Sequence, residues 1–369
     1  MKVGIDVYTL SGLELTPVGM LRFAHEHGLD GLQFGSGASV SPTLDPGEIR
    51  EFREEADRLG LQVELGIPQV NPHRLRRNRS VLAAGDGDVR RGLERHVRAA
   101  HAAGCGELHS SIGHLGDRLP DPGQRVLHSD MRGGPLVEEH FAAARLDPAV
   151  PWDQQLRDTV GFLRPLGPLL RDLGCRINLE THADATTFEL VRIVEELGDD
   201  VQGITLDIAN TMNQLEHPVA AASRAAPYVH NTHTKDGLLF FDEQGLAWQP
   251  RACGDGVVPF DEILPILGQH QPDLMLAIED HKWIYFLPID DQTFLSCHPD
   301  LTAAELAALV RLARRGQERI DRGETPEPRR YELVPWLEHQ VARIGAARDY
   351  LNGRLRAHGL ADSSTGLRA

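Results

Sequence analysis

An apolar, strand-like run followed by an amphipathic helical stretch recurs eight times along this chain, and that alternation leaves few folds open to it. Residues 2–7 (KVGIDV) read as the first strand, and PVGMLRFAHEHG as its helix, closed by Gly28. GLQFG near Phe34 is the second strand. Its helix, DPGEIREFREEADRLG, has Asp45 at the N-cap, Pro46 at the first helical position and Gly60 as its stop. The strands continue with QVELGI near Leu65, ELHSSIG ending at Gly113, RINLETH, GITLDIAN, HNTHTK and LMLAIED, with helical patterns between them. The pattern predicts an α/β chain, a parallel (β/α)8 TIM barrel. A doubly wound open sheet is the alternative, disfavoured because no GxGxxG follows the first strand. The 369 residues suit one such barrel. The expected division is a catalytic barrel over 1–322, closed by the helix TAAELAALVRLARRGQERI, and a C-terminal helical extension over 323–369 that braces the barrel or a partner subunit. The final ADSSTGLRA reads as a loose tail.

Chemistry concentrates at strand ends. INLETH, TLDIAN, HNTHTKD and LAIEDH each run from an apolar stretch into a carboxylate or imidazole, and they offer Glu180, Asp207, His233 and Glu279. Strand C-termini form the catalytic face of a barrel. Three oxygen donors and one nitrogen suit a hard or borderline divalent cation. Glu180 and Glu279 can also move protons. Side chains two apart on a strand share a face, so Glu180 brings His182, His233 brings Lys235 and Glu279 brings His281. Taken singly, Asp207 reads as a helix N-cap and His182 and His281 as solvated rim. Four such groups at consecutive strand ends outweigh those readings. Two long connections, residues 114–152 and 236–259, follow strands and so lie on the same face as lids or binding loops. The first carries Gly-Asp-Arg, Asp-Pro-Gly and Arg-Gly-Gly-Pro turns; the second carries Phe240, Phe241, Trp248 and a Cys-Gly-Asp-Gly turn. A shorter loop after the eighth strand holds Trp283, Tyr285 and Phe286, with Trp283 the favoured pocket contact.

Charge narrows the partners. Asp+Glu total 54 against 38 Lys+Arg, a net charge of −16 that opposes binding to a nucleic-acid backbone. HRLRRNR at residues 73–79 is a local exception and reads as a solvated loop. Cys105, Cys175, Cys253 and Cys297 form no CxxC pair, so free thiols in a reducing compartment are expected. The N-terminus reads as a strand, not a signal peptide, and no run reaches the roughly 18–20 apolar residues of a membrane span. No membrane partner and a cytoplasmic setting are therefore expected.

LETH, LDIAN, HTKD, GDGVVPF and IED resemble the xylose isomerase-like barrel superfamily, in its sugar phosphate isomerase/epimerase branch, over roughly residues 1–314. The resemblance implies one divalent ion (manganese, cobalt or magnesium) held by Glu180, Asp207, His233 and Glu279. It implies that Glu180 and Glu279 face each other as catalytic groups across a small carbohydrate or polyol. His114, His182, Asn210, Lys235, His281 and Trp283 are the expected substrate contacts. A homo-oligomer is compatible with the C-terminal helices. Two positions depart from the family's ketose 3-epimerases: Asn210 stands where they place a histidine, and Lys235 where they place an arginine. His-x-Lys-Asp is closer to inosose-processing members and similar to C-glycoside-cleaving ones. The expected activity is isomerisation or epimerisation through a metal-stabilised enediolate. The alternative is a lyase, with His182, His281 or His114 protonating the leaving group of an inosose or keto-glycoside. An AP endonuclease is less favoured, since it would be richer in histidine ligands and carry a basic DNA face. A non-catalytic binding module would have lost at least one ligand.

Overall fold

The computed structural model describes residues 1–114, 117–119, 123–141 and 150–361. Its strands are β1 (Lys2–Asp6), β2 (Gly31–Phe34), β3 (Gln62–Leu65), β4 (Glu107–Ser110), β5 (Gln124–His128), β6 (Val137–Phe141), β7 (Arg176–Glu180), β8 (Gln202–Asp207), β9 (Val229–His233), β10 (Asp236–Asp242), β11 (Gly245–Arg251), β12 (Met275–Ile278) and β13 (Ile284–Leu287). Two parallel arcs, in the orders β12-β1-β2-β3 and β4-β7-β8-β9, make the barrel wall. Backbone hydrogen bonds join the arcs at both seams. The Ile67 N–H donates to the His109 carbonyl at 2.9 Å, and the Thr234 N–H donates to the Ala277 carbonyl at 2.7 Å. The expected (β/α)8 barrel is therefore present, with the eight predicted strands in the predicted order.

Local chemistry sets the helices as read. Asp45 accepts hydrogen bonds from the Gly47 and Glu48 N–H groups ahead of Pro46, and Gly60 ends that helix in the left-handed region. Val3, Ile5, Leu32, Leu65, Leu108, Ile177, Leu179, Ile204, Leu206 and Leu276 are buried in one continuous core. Among the described residues, no helix is long and apolar enough to cross a membrane. All four cysteines are free, and Cys105, Cys175 and Cys253 are buried.

Three features depart from the sequence reading. First, the long connections are not simple loops. β5 and β6 lie in the first, β10 and β11 in the second, and β13 follows the eighth barrel strand. Together they form a five-stranded antiparallel sheet in the order β10-β11-β13-β5-β6, above the catalytic face. Leu127, Leu238, Phe240, Ala247, Ile284 and Phe286 give this roof its own small core. Second, helix Ala303–Asp321 lies along β10 of the roof, while its Leu309, Leu312 and Ala313 join the main core. The approach is so close that a Cβ at Gly316 would sit 1.9 Å from the Leu239 carbonyl oxygen, which only glycine permits. Third, the helix flanking the β12–β1 seam is Trp336–Ala357. Residues on both sides of position 322 thus share one packing. The tail called loose is described only at Ala361; residues 362–369 lie outside the described residues.

Arg343 anchors that seam helix. Its Nε donates to Asp280 Oδ2 at 2.7 Å, and both side chains are buried. Breaking a buried ion pair strands the remaining charge, at a cost of about 3–5 kcal/mol. Arg343→Ala should therefore lower unfolding stability by that amount in urea titration. A loss below about 1 kcal/mol would mean the helix is held by apolar packing alone.

Candidate active site

Four strand ends deliver four donors to one point. Glu180 ends β7, Asp207 ends β8, His233 ends β9, and Glu279 follows β12. Each offers a ligand atom, and these atoms lie within 4.8 Å of one another. His233 Nδ1 is 2.9 Å from Glu180 Oε1 and 3.0 Å from Glu279 Oε2. Lys235 Nζ is 3.0 Å from Asp207 Oδ2 and 3.2 Å from Glu279 Oε2. Two cationic side chains thus sit among three carboxylates, of which Glu180 and Asp207 are buried and Glu279 half-buried. The donor set fits a divalent ion: three hard oxygens, one imidazole, and a buried His233 Nε2 without a hydrogen-bond partner. Asp207 Oδ1 also accepts the Asn210 N–H at 3.1 Å, although the cap residue of the short turn Asn210–Gln214 is Ala209 rather than Asp207.

A cavity of about 620 Å³ opens over these groups. His114, His182, Asn210, Lys235, His281 and Trp283, all expected from the sequence, line it together with Glu180, His233 and Glu279. Phe240 and Trp248, on the second connection, do not. Phe240 packs in the roof core, and Trp248 is buried, stacked on Tyr285 at 4.7 Å, with its Nε1–H donating to Asn213. The sequence reading missed Asp6, Tyr8 and His109, which also line the cavity. Asp6 Oδ2 lies 3.9 Å from His233 Nε2, and the His109 ring centroid lies 5.6 Å from that of His233. A signal existed for Asp6: KVGID is also a strand-like run ending in a carboxylate. The basic run at 73–79 is partly neutralised, as His73 pairs with Asp158 at 2.7 Å and Arg74 with Asp117.

The final Asp236 of HTKD has a structural duty. Asp236 accepts hydrogen bonds from the N–H groups of Gly237, Gly254, Gly256 and Val258, at 2.7–3.1 Å. One carboxylate therefore folds the Cys-Gly-Asp-Gly turn. A Cβ at Gly256 would fall 2.0 Å from Asp236 Oδ1, so that turn requires glycine.

Burial and charge compete at every titrating group. Burial pushes the Glu180 carboxyl up, but the His233 and His182 charges outweigh it and hold it down to about 2. Burial likewise opposes ionisation of Glu279, and Lys235 and His233 hold it well below the usual carboxylate range. His233 is drawn down by burial and lifted further by Glu180 and Glu279, to well above the ordinary imidazole value. Burial and the Lys235 charge push His281 down to about 3, and burial with the His182 charge pushes His114 down to about 4. His182 moves the other way: burial lowers it, but Glu180 and Asp184 raise it more. Burial pushes Asp6 up to about 7 against the pull of His233.

Comparison with known proteins places the architecture. Residues 21–283 match the family model described as Xylose isomerase-like TIM barrel, and the chain belongs to that family. An uncharacterised Escherichia coli protein, YihM, is 30% identical over 121 residues; the match spans 32% of this chain and only 37% of that protein's length. The 3-oxo-isoapionate decarboxylase of Pectobacterium atrosepticum is 22% identical over 288 residues, 76% of this chain and 85% of that one. Among solved structures, mannonate dehydratase of Streptococcus suis superposes with a TM-score of 0.58 at 15% identity, covering 100% of this chain and 97% of its own. D-psicose 3-epimerase of Clostridium cellulolyticum superposes with a TM-score of 0.54 at 14% identity, covering 90% of this chain and 99% of its own. At such identities the two structural likenesses speak to the fold.

Proposed function

We propose that this member of the xylose isomerase-like family is a divalent-metal-dependent sugar or polyol isomerase or epimerase. The observation that carries the reading is the pair Glu180 and Glu279, each about 3 Å from His233 Nδ1, at the floor of a cavity of sugar size. A divalent ion held by Glu180, Asp207, His233 and Glu279 would supply Lewis acidity at the carbonyl of a hydroxy-ketone and so acidify the adjacent C–H. Glu180 and Glu279 reach the floor from β7 and from the end of β12, with β8 and β9 between them in the wall. Two carboxylates arriving from different sides suit removal of a proton by one and its return by the other. Lys235 holds Asp207 and Glu279 in place. His182, Asn210 and His281 present polar atoms to hydroxyl groups, while Tyr8, Trp283 and Tyr285 present ring faces. The reading includes a cytoplasmic setting, where the free thiols would stay reduced.

A lyase on the same site is the second reading. His182 stands beside Glu180 on the cavity wall, and the proteins this chain resembles include a decarboxylase and a dehydratase. The same proton abstraction would then expel a group from the next carbon, with His182 donating to it.

The test is a screen of keto-sugars, inososes and 3-oxo-glycosides in deuterated water with Mn2+, Co2+ or Mg2+, read by NMR and mass spectrometry. Solvent deuterium beside the carbonyl with unchanged skeleton mass supports the isomerase or epimerase. Loss of water, carbon dioxide or an aglycone supports the lyase. Absence of both deuterium incorporation and mass loss across the panel would sink both.

A further inference from the structure

We infer that Glu332 is a positioning residue that sets the aromatic wall of the pocket by acting through Trp283. Only its kinetic arm rests on the carbohydrate reading above. Trp283 lines the cavity and immediately precedes β13, yet its φ is 132°, in the region that favours glycine. A residue carrying an indole stays there only where its surroundings hold it. The Trp283 N–H donates to Glu332 Oε2 at 3.1 Å. Glu332 belongs to the short helix Pro328–Leu333 and is 1% exposed.

The same carboxylate gathers two further segments of the roof. Its Oε2 accepts the Gln249 Nε2–H of β11 at 2.9 Å, and its Oε1 accepts the Ser129 N–H just after β5 at 3.2 Å. The Ser129 hydroxyl in turn donates to the Glu332 backbone carbonyl at 2.6 Å, and Lys282, the neighbour of Trp283, reaches that hydroxyl. One side chain, far along the sequence from the metal-ligand strands, therefore fixes β5, β11 and the entry to β13 against one another. The product of that arrangement is the placement of the Trp283 ring, 5.9 Å from the Tyr285 ring and 6.1 Å from the His281 ring across the cavity wall. A glutamine at 332 keeps the size but turns one of the two acceptor oxygens into a donor, so the Ser129 and Trp283 sides cannot both be satisfied.

The chain has four tryptophans, so 5-fluorotryptophan labelling gives a 19F spectrum in which Trp283→Phe assigns the resonance of interest. Glu332→Gln should move or broaden that resonance while the other three hold. Glu332→Asp keeps the charge, shortens the reach by one methylene, and should give the same selective shift if the glutamine variant fails to fold. Movement of all four resonances together, or of none, would overturn the inference. With a substrate from the screen, Glu332→Gln should raise KM by roughly tenfold, the size of one charge-assisted hydrogen bond, with kcat within about threefold. In a Trp283→Ala background the same substitution should leave KM where it was; an equal penalty in both backgrounds would show that Glu332 does not act through Trp283. If the screen finds no substrate, the functional reading fails and the 19F spectra still decide this one.

Discussion

His233→Ala and Asp207→Ala proteins should emerge from chelator-free purification without bound metal and without activity, while the unaltered chain carries one divalent ion. Each substitution removes one of four donors that converge within 4.8 Å. Even partners behind metal ligands change affinity by about 10–100-fold, so a ligand itself should cost at least that. The two variants differ in what they leave behind. His233→Ala takes away the group between Glu180 and Glu279, leaving Glu279 with Lys235 and Glu180 with the charge of His182. Asp207→Ala leaves Lys235 with Glu279 alone. Metal analysis of both, checked by circular dichroism for folding, separates lost ligation from lost structure. Full occupancy after either change would remove this site.

Glu180→Gln and Glu279→Gln should fold and cut turnover by at least ~10²-fold, the lower end for losing a general base. The substitution keeps shape and one oxygen but removes the charge that takes the proton. Both carboxyls are ionised at neutral pH, because His233 acts on each and Lys235 acts on Glu279 strongly enough to outweigh burial. Metal content must be read alongside the rate, since each glutamate is also a candidate ligand. A variant that keeps its metal and a near-normal rate would show that the proton is handled elsewhere.

Which parts were legible in the sequence follows from the range of the forces involved. Barrel strands are short apolar runs with local turn and cap signals, and Asp45, Pro46 and Gly60 behave in the structure as their chemistry predicts. The strand-end donor groups were legible because strand periodicity carries their direction with it: Glu180 and His182, His233 and Lys235, and Glu279 and His281 all reach the cavity. The roof was not legible. β5 pairs with β13 through Leu127 and Ile284, more than 150 residues apart, and VEEHF in β6 has too little apolar alternation to stand out from its flanking turns. The contact between helix Ala303–Asp321 and the roof was hidden for a related reason. Ala303–Asp321 has a clear apolar face, but nothing local says whether that face meets the barrel or the roof. The small residue Gly316, which permits the close approach to β10, was the available clue. Asp6 ends the first strand, so a signal of the same kind was present there.

The central claim is that Glu180, Asp207, His233 and Glu279 hold a single ion at the floor of the pocket. Anomalous diffraction from crystals grown with Mn2+ tests it most directly. The account predicts one strong anomalous peak about 2.0–2.5 Å from a donor atom of each of these four residues. A map with no peak there, or with the peak bound elsewhere and Lys235 still seated between Asp207 and Glu279, would contradict it.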